Sequence, residues 1–99
     1  MEMIQRPTSH IYVNITEEDI RLGIRRDRAF CPIARAVSRK LDKGWYAAVD
    51  SKCVSVYRTL IDKTSYQYEL SQRLQAWIAA YDGGINTIRP TVGFIRLVK

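Results

Sequence analysis

The 99-residue sequence has few of the side chains that most often carry chemistry, with one histidine and two cysteines. Cys31 and Cys53 lie 22 positions apart, a spacing that matches no zinc site, and two cysteines are too few for a disulfide framework. The glycine-rich phosphate loops and the GxSxG turn of serine hydrolases are also missing. These absences predict a protein without a metal, a cofactor or a catalytic residue.

Cys31 is the one residue that keeps an enzymatic alternative open. It stands directly before Pro32 at the predicted start of a helix, a position that lowers the pKa of a thiol and favours the thiolate. A nucleophilic cysteine needs a base, and the sole histidine, His10, lies just ahead of the first predicted strand. The other interpretation is that Cys31 is a small apolar residue that packs beside Phe30 and begins the helix.

Long apolar runs are absent as well, so no segment reaches the roughly 18 residues that a membrane span needs. The first ten residues, MEMIQRPTSH, contain an early acid and lack the apolar core of a secretion signal. The length suits one domain over residues 1–99, of which residues 1–9 are expected to be flexible. Together with the unpaired cysteines, this predicts a reduced protein in the cytoplasm.

Positive charge is present in excess and is concentrated in one stretch. The net charge is +6, from 16 basic and 10 acidic residues. Residues 21–43, here called the basic segment, contain eight basic and two acidic residues and therefore carry the whole excess. A concentrated excess predicts a surface that meets an anionic partner, and a solvated charged face is the alternative. The basic residues of the segment are Arg21, Arg25, Arg26, Arg28, Arg35, Arg39, Lys40 and Lys43.

The spacing of apolar residues predicts the order of helices and strands. Residues 10–15 alternate as in a strand, and Thr16 with Asp19 three positions later is typical of a helix N-terminus. A second helix is predicted from Cys31, with Phe30 in its core-facing stripe. Later patterns predict strands at 45–49, 53–61, 66–70 and 91–98, a turn at 62–65, and a third helix from Ser71 to Gly83. The order β-α-α-β-β-β-α-β predicts a single α+β domain, a mostly antiparallel sheet with helices packed on one face.

Aromatic residues offer anchors for a partner, since the chain has six tyrosines and two tryptophans. Trp77 and Tyr81 keep helical spacing and are expected in the core. Trp45 and Tyr46 point to opposite faces of a predicted strand, so one of them is expected to be exposed. The aromatic residues predicted to anchor a partner at the surface are Tyr46, Tyr57, Tyr66 and Tyr68.

Three stretches give the chain a likeness to a known group: ITEEDIRLGIRRDRAFCPIARAV, AYDGG and RPTVGFIRL. The chain resembles a family of small uncharacterised bacteriophage and prophage proteins with the pattern I-T-x-E-D-I…G…C-P-I-A…D-x-G…P, over residues 10–97. The family often has a proline before the third helix, where this chain has Ser71. The resemblance implies a phage origin, this element order and residence in a bacterial host, but no activity. Small accessory phage proteins often bind and block host defence machinery, including CRISPR complexes.

These observations support two functional hypotheses of different classes. In the first, the chain is an anti-defence protein and anti-CRISPR candidate that binds a host defence or regulatory protein, or a ribonucleoprotein, through the basic segment and blocks it without catalysis. In the second, a small regulatory module uses the same arginines as phosphate contacts on DNA or RNA. The connection of about seven residues between the first two helices is longer than a helix-turn-helix turn. A free sheet edge would also permit a homodimer.

Overall fold

The structure is a computed structural model that describes residues 9–58, 65–85 and 87–98. The α+β class and the predicted order β-α-α-β-β-β-α-β are confirmed. Residues 1–8 of the tail expected to be flexible, residues 59–61 of a predicted strand and residues 62–64 of the predicted turn lie outside the described residues. Ser65, which was predicted to end that turn, is instead the first residue of a strand. The elements along the chain are β1 (His10–Ile15), α1 (Glu17–Leu22), α2 (Pro32–Ser38), β2 (Tyr46–Val49), β3 (Cys53–Tyr57), β4 (Ser65–Leu70), α3 (Gln72–Asp82) and β5 (Thr91–Leu97).

The strands form one sheet in the order β1-β5-β4-β3-β2, with every neighbouring pair antiparallel. Alternation along each strand directs one set of side chains to an inner face, where Val13, Val54 and Ile95 are fully buried. Helix α3 packs on the central strands β4 and β5, whereas α2 packs on both edge strands, β1 and β2. Because one short helix contacts both edges, the sheet curls around α2, and its outer face has no helix from the described residues.

Local capping interactions explain where α1 and α2 begin. Thr16 and Asp19 form the predicted capping box: the Asp19 N–H donates to Thr16 Oγ1 at 3.2 Å, and the Thr16 N–H donates to Asp19 Oδ2 at 3.0 Å. At α2, Pro32 occupies the first turn and Cys31 is the N-cap residue, its sulfur accepting from the Ala34 N–H at 3.4 Å. Both starts agree with the sequence patterns because each depends on residues only three positions apart.

The core is a single layer between the sheet and the helices. Trp77 and Tyr81 are buried on α3 as predicted, and their rings stack with centroids 5.5 Å apart. Gly93 on β5 lets α3 approach the sheet, since a Cβ there would lie 2.8 Å from Leu74 Cγ. Among the described residues, no helix is long and apolar enough to cross a membrane.

Phe30 differs from its predicted place in the core. Its side chain is 59% exposed, whereas the helix it precedes buries Ile33, Ala34 and Val37. The prediction is wrong because Cys31 is the N-cap, so Phe30 lies before the helix and helical periodicity does not govern its direction. This leaves one of the two phenylalanines of the chain at the surface beside α2.

Candidate functional site

The basic segment is organised around Asp19, the sole fully buried charged side chain among the described residues. Arg39 binds its carboxylate in a fork, with Nη1–Oδ1 at 2.7 Å and Nη2–Oδ2 at 2.6 Å, and Arg35 Nε donates to Oδ1 at 3.2 Å. Burial of the Asp19 carboxyl raises its pKa. The hydrogen bonds from Arg39 and from the Thr16 N–H, together with the Arg39 charge, lower the pKa by more than burial raises it. The net effect is a pKa lowered from 3.8 to about 2. Two guanidinium groups share one carboxylate, so the network keeps one positive charge.

Arg39 and Lys40 also cover the free edge of β1. A further hydrogen bond from Arg39 Nη2 reaches the Asn14 carbonyl at 2.9 Å, and the Lys40 ammonium lies over the Tyr12 ring, 5.5 Å from its centroid. Charged side chains on an edge strand discourage pairing with another strand. A homodimer formed through β1 would have to displace Arg39 from Asn14, and the homodimer stays a prediction.

Arg25 and Arg26 bind the C-terminus of α3. Arg25 Nε donates to the Tyr81 carbonyl at 2.8 Å, and Arg26 Nε donates to the Asp82 carbonyl at 3.2 Å. The last carbonyls of a helix have no partner within the helix and carry its negative dipole end, so arginine donors stabilise them. The Arg26 backbone adopts φ 62°, and its N–H donates to Asp82 Oδ1 at 2.8 Å. This bond helps to offset the roughly 1–2 kcal/mol that a left-handed residue costs.

The other three basic residues of the segment are exposed. Arg21 lies in the last turn of α1, Arg28 lies in the loop beside β2, and Lys43 lies between α2 and β2. Their side chains make no hydrogen bond or ion pair with the rest of the described chain, so they remain free to meet a partner. The structure therefore divides the predicted binding residues into a structural group and a free group.

A groove beside α2 and β2 brings the arginines and the predicted aromatic anchors together. We call it the aromatic groove. Its volume is about 580 Å³. Phe30 is 59% exposed there and Tyr46 is 49% exposed, and the rings of Tyr46 and Tyr57 lie 5.8 Å apart. The residues that line the aromatic groove are Ala29, Phe30, Arg35, Ser38, Arg39, Tyr46, Ala47 and Tyr57.

The loop before α2 holds Phe30 in the aromatic groove. Asp27 Oδ1 accepts hydrogen bonds from the N–H groups of Ala29 and Phe30, both at 2.9 Å, which turns the chain. The Arg28 carbonyl accepts from the Val49 N–H at 2.9 Å and so fastens this turn to the edge of β2. A signal for this turn was present in the sequence, since Asp27 precedes Phe30 by three positions as in an Asx turn.

The four predicted anchors divide between the two faces of the sheet. Tyr46 and Tyr57 pair on the outer face and are exposed, whereas Tyr68 is only 2% exposed. Tyr68 pairs with Val54, and this register places it on the inner face, so the prediction of a surface anchor is wrong for Tyr68. The same register directs Tyr66 inward, where it is half-buried and stacks on Trp45 with ring centroids 5.8 Å apart.

The position of Cys31 in the core does not favour a thiolate. It is buried in the core, and burial raises the pKa of its thiol, whereas a reactive cysteine needs a lowered one. His10 lies on the outer face of the sheet, with its ring 6.3 Å from that of Phe94. Within the described ranges, no three His, Cys, Asp or Glu side chains are grouped so that they could hold a metal ion. The geometry at Cys31 is that of a helix cap.

In comparisons with protein-family models, curated proteins and solved structures, nothing matches this chain.

Proposed function

We propose that this chain is a small non-catalytic binding protein that docks an acidic protein surface in its aromatic groove and acts by occupying it. The observation that carries the proposal is the exposed pair Phe30 and Tyr46 beside Arg35 and Arg39. Aromatic residues and arginine are enriched in the cores of protein interfaces and supply most of their binding energy. Exposed aromatic side chains grouped in a concave surface are typical of a docking site.

The commitments of the arginines favour a protein partner over a nucleic acid. Arg25, Arg26, Arg35 and Arg39 are bound to carboxylates or helix carbonyls within the chain. Nucleic-acid affinity grows with the number of phosphates that free cations neutralise, and each of these four side chains already has at least one donor bound within the chain. A protein interface needs fewer charges because its buried aromatic residues contribute most of the affinity.

Nucleic-acid binding is the second candidate function. The exposed Tyr46–Tyr57 pair favours it, because unpaired bases stack on aromatic rings. The free side chains of Arg28 and Lys43 would then contact phosphates. This function predicts an affinity that falls steeply with salt, by about 0.7 log units per log of salt for each phosphate contacted on a single strand.

The resemblance to phage proteins extends the proposal to the identity of the partner. On that basis the partner is a defence or regulatory protein of a bacterial host, free or within a ribonucleoprotein, and binding blocks it. The sequence patterns support this identity of the partner, whereas the residues of the aromatic groove support the docking surface.

Affinity purification from a bacterial lysate, with and without nuclease, tests the proposal. The wild-type chain should retain a stoichiometric protein partner in both conditions. Phe30→Ala should lose it, since truncating a central aromatic anchor typically costs about 2 kcal/mol or more, a factor of about 30. Phe94→Ala is the matched control, because Phe94 is 52% exposed but lies on β5, three strands away from β2.

The outcomes separate the two candidate functions. Retention that nuclease abolishes would move the assignment to nucleic-acid binding. A partner retained equally by the wild type and Phe30→Ala would overturn the aromatic groove as the docking surface. Both variants should keep the wild-type melting temperature, because both side chains are more than half exposed.

A further inference from the structure

We infer that the occupant of the aromatic groove is an aromatic or branched apolar side chain with a carboxylate beside it, and that Arg35 binds the carboxylate. This inference rests on the proposed function and specifies the partner's chemistry: an acidic protein segment in which Asp or Glu neighbours a large apolar residue.

Arg35 is the donor that the groove leaves available. Its Nε faces Asp19, and its two Nη groups make no hydrogen bond with the described residues. The side chain is 31% exposed and lines the groove. By contrast, both Nη groups of Arg39 are taken by Asp19 and the Asn14 carbonyl. Arg35 therefore presents a fork of N–H groups whose plane is already oriented by Asp19, and such a fork matches a carboxylate.

The charge of the groove fits a single anionic group. Arg35 and Arg39 share the one carboxylate of Asp19, and the Glu18 charge also acts on Arg39, so Arg35 carries the positive charge that remains uncompensated at the groove wall. No acidic residue of the described chain lines the groove. One net charge suits one carboxylate, whereas a nucleic-acid strand needs a series of free cations along its backbone.

The floor and size of the groove fit an apolar side chain. Ala29 and Ala47 are small, and the rings of Phe30 and Tyr46 stand beside them. A volume of about 580 Å³ lies within the range of pockets that hold small ligands, so an aromatic ring and its neighbours can enter. The Ser38 hydroxyl on the rim adds a neutral hydrogen-bonding group. An apolar floor with one cationic wall is complementary to an apolar group that carries an anion.

A pair of isosteric probes tests this chemistry directly. Titration of 3-phenylpropanoate, followed by amide NMR shifts, should move the signals of Phe30, Arg35 and Tyr46 and saturate in the millimolar range. The neutral 3-phenylpropanamide should bind about fivefold more weakly, since a charge-assisted contact to a partly exposed arginine is lost. Added salt should reduce the difference. A short oligo(dT) strand is the nucleic-acid probe.

Substitutions test whether Arg35 is the residue that makes the groove prefer the charged probe. Arg35→Gln should bind both probes equally, whereas Arg21→Gln, which removes an exposed arginine from α1, should keep the wild-type preference. If Arg35→Gln fails to fold, Arg35→Lys keeps the charge beside Asp19 and removes the fork, and it should lose part of the preference.

The inference is overturned if the two probes bind equally, or if the preference for the carboxylate survives Arg35→Gln. It is also overturned if the NMR shifts lie outside the groove, or if oligo(dT) binds the groove more tightly than the probes do. The proposed function fails separately. If the probes show no carboxylate preference but Phe30→Ala still releases a nuclease-resistant partner from lysate, the docking surface stands and only its proposed occupant is wrong.

Discussion

Asp19→Asn is the substitution that examines the arginine network most directly. It keeps the size of the side chain and removes the charge at a position with 0% exposure. The asparagine amide has one oxygen to accept from Arg35, Arg39 and Thr16, and its NH₂ group would face a guanidinium. Both arginines lose the anion that orients them, although each can still reach water.

The expected loss of stability follows from the pKa of Asp19. A pKa lowered from 3.8 to about 2 corresponds to about 2 kcal/mol in favour of the ionised carboxylate in the folded state. Breaking a buried ion pair typically costs about 3–5 kcal/mol, but the Arg35 and Arg39 side chains are partly exposed and water compensates them. We therefore expect Asp19→Asn to lower the free energy of unfolding by about 2–3 kcal/mol at pH 7. The melting temperature should fall by on the order of 10 °C.

The pH dependence of the free energy of unfolding tests the role of the Asp19 charge more sharply than a single measurement at pH 7. The folded-state pKa of Asp19 lies below its unfolded value, so its contribution is complete above about pH 4 and is lost as pH falls toward 2. Urea denaturation monitored by circular dichroism at pH 7, 5, 3 and 2 should show the wild type and Asp19→Asn converging at the acid end. Asp42→Asn, at an exposed aspartate, is the control and should stay parallel to the wild type. A loss below about 0.5 kcal/mol at pH 7, or parallel curves for Asp19→Asn, would refute a stabilising ion-pair network.

Three further substitutions or modifications check other contacts. Gly23→Ala should lower the free energy of unfolding by about 1–3 kcal/mol in thermal denaturation, because the added Cβ would lie 2.6 Å from the Asp19 carbonyl oxygen and 2.8 Å from the Pro32 ring. An unchanged melting temperature would show that the loop relaxes. Tyr81→Phe should lose about 1 kcal/mol with the hydrogen bond from its hydroxyl to the Gly23 carbonyl at 3.0 Å, and stability equal to the wild type would show that water replaces it. Iodoacetamide at pH 8 should label Cys31 much more slowly than the partly exposed Cys53, because Cys31 is buried and burial raises the pKa of its thiol. Mass spectrometry measures the two rates, and faster labelling of Cys31 would indicate a reactive cysteine.

The elements were predictable wherever their signals are local. The Thr16 capping box, the Cys31–Pro32 start and the Ser71 cap involve residues within three positions of one another, so no distant part of the chain can change them much. Strand alternation identified β1 for the same reason. Phe30 was placed wrongly because the helix begins after it, and helical periodicity predicts the direction of a side chain only within the helix.

The candidate site was only half predictable. The sequence indicated Arg35, Arg39, Tyr46 and Tyr57 as binding residues, and the structure brings these four to one groove. It could not show that Tyr68 points inward, because the face of a strand depends on its register with the neighbouring strand.

The sequence by itself determined the element order, the helix starts and the place of the positive charge along the chain, because these depend on near neighbours and composition. Only the tertiary structure decided what each arginine does. Arg39 meets Asp19 across 20 positions, and Arg25 meets Tyr81 across 56. Such contacts are set by how the helices pack on the curled sheet, which no local pattern encodes. The same packing places Phe30 beside Tyr46 and leaves Arg35 with free donors at the edge of the groove.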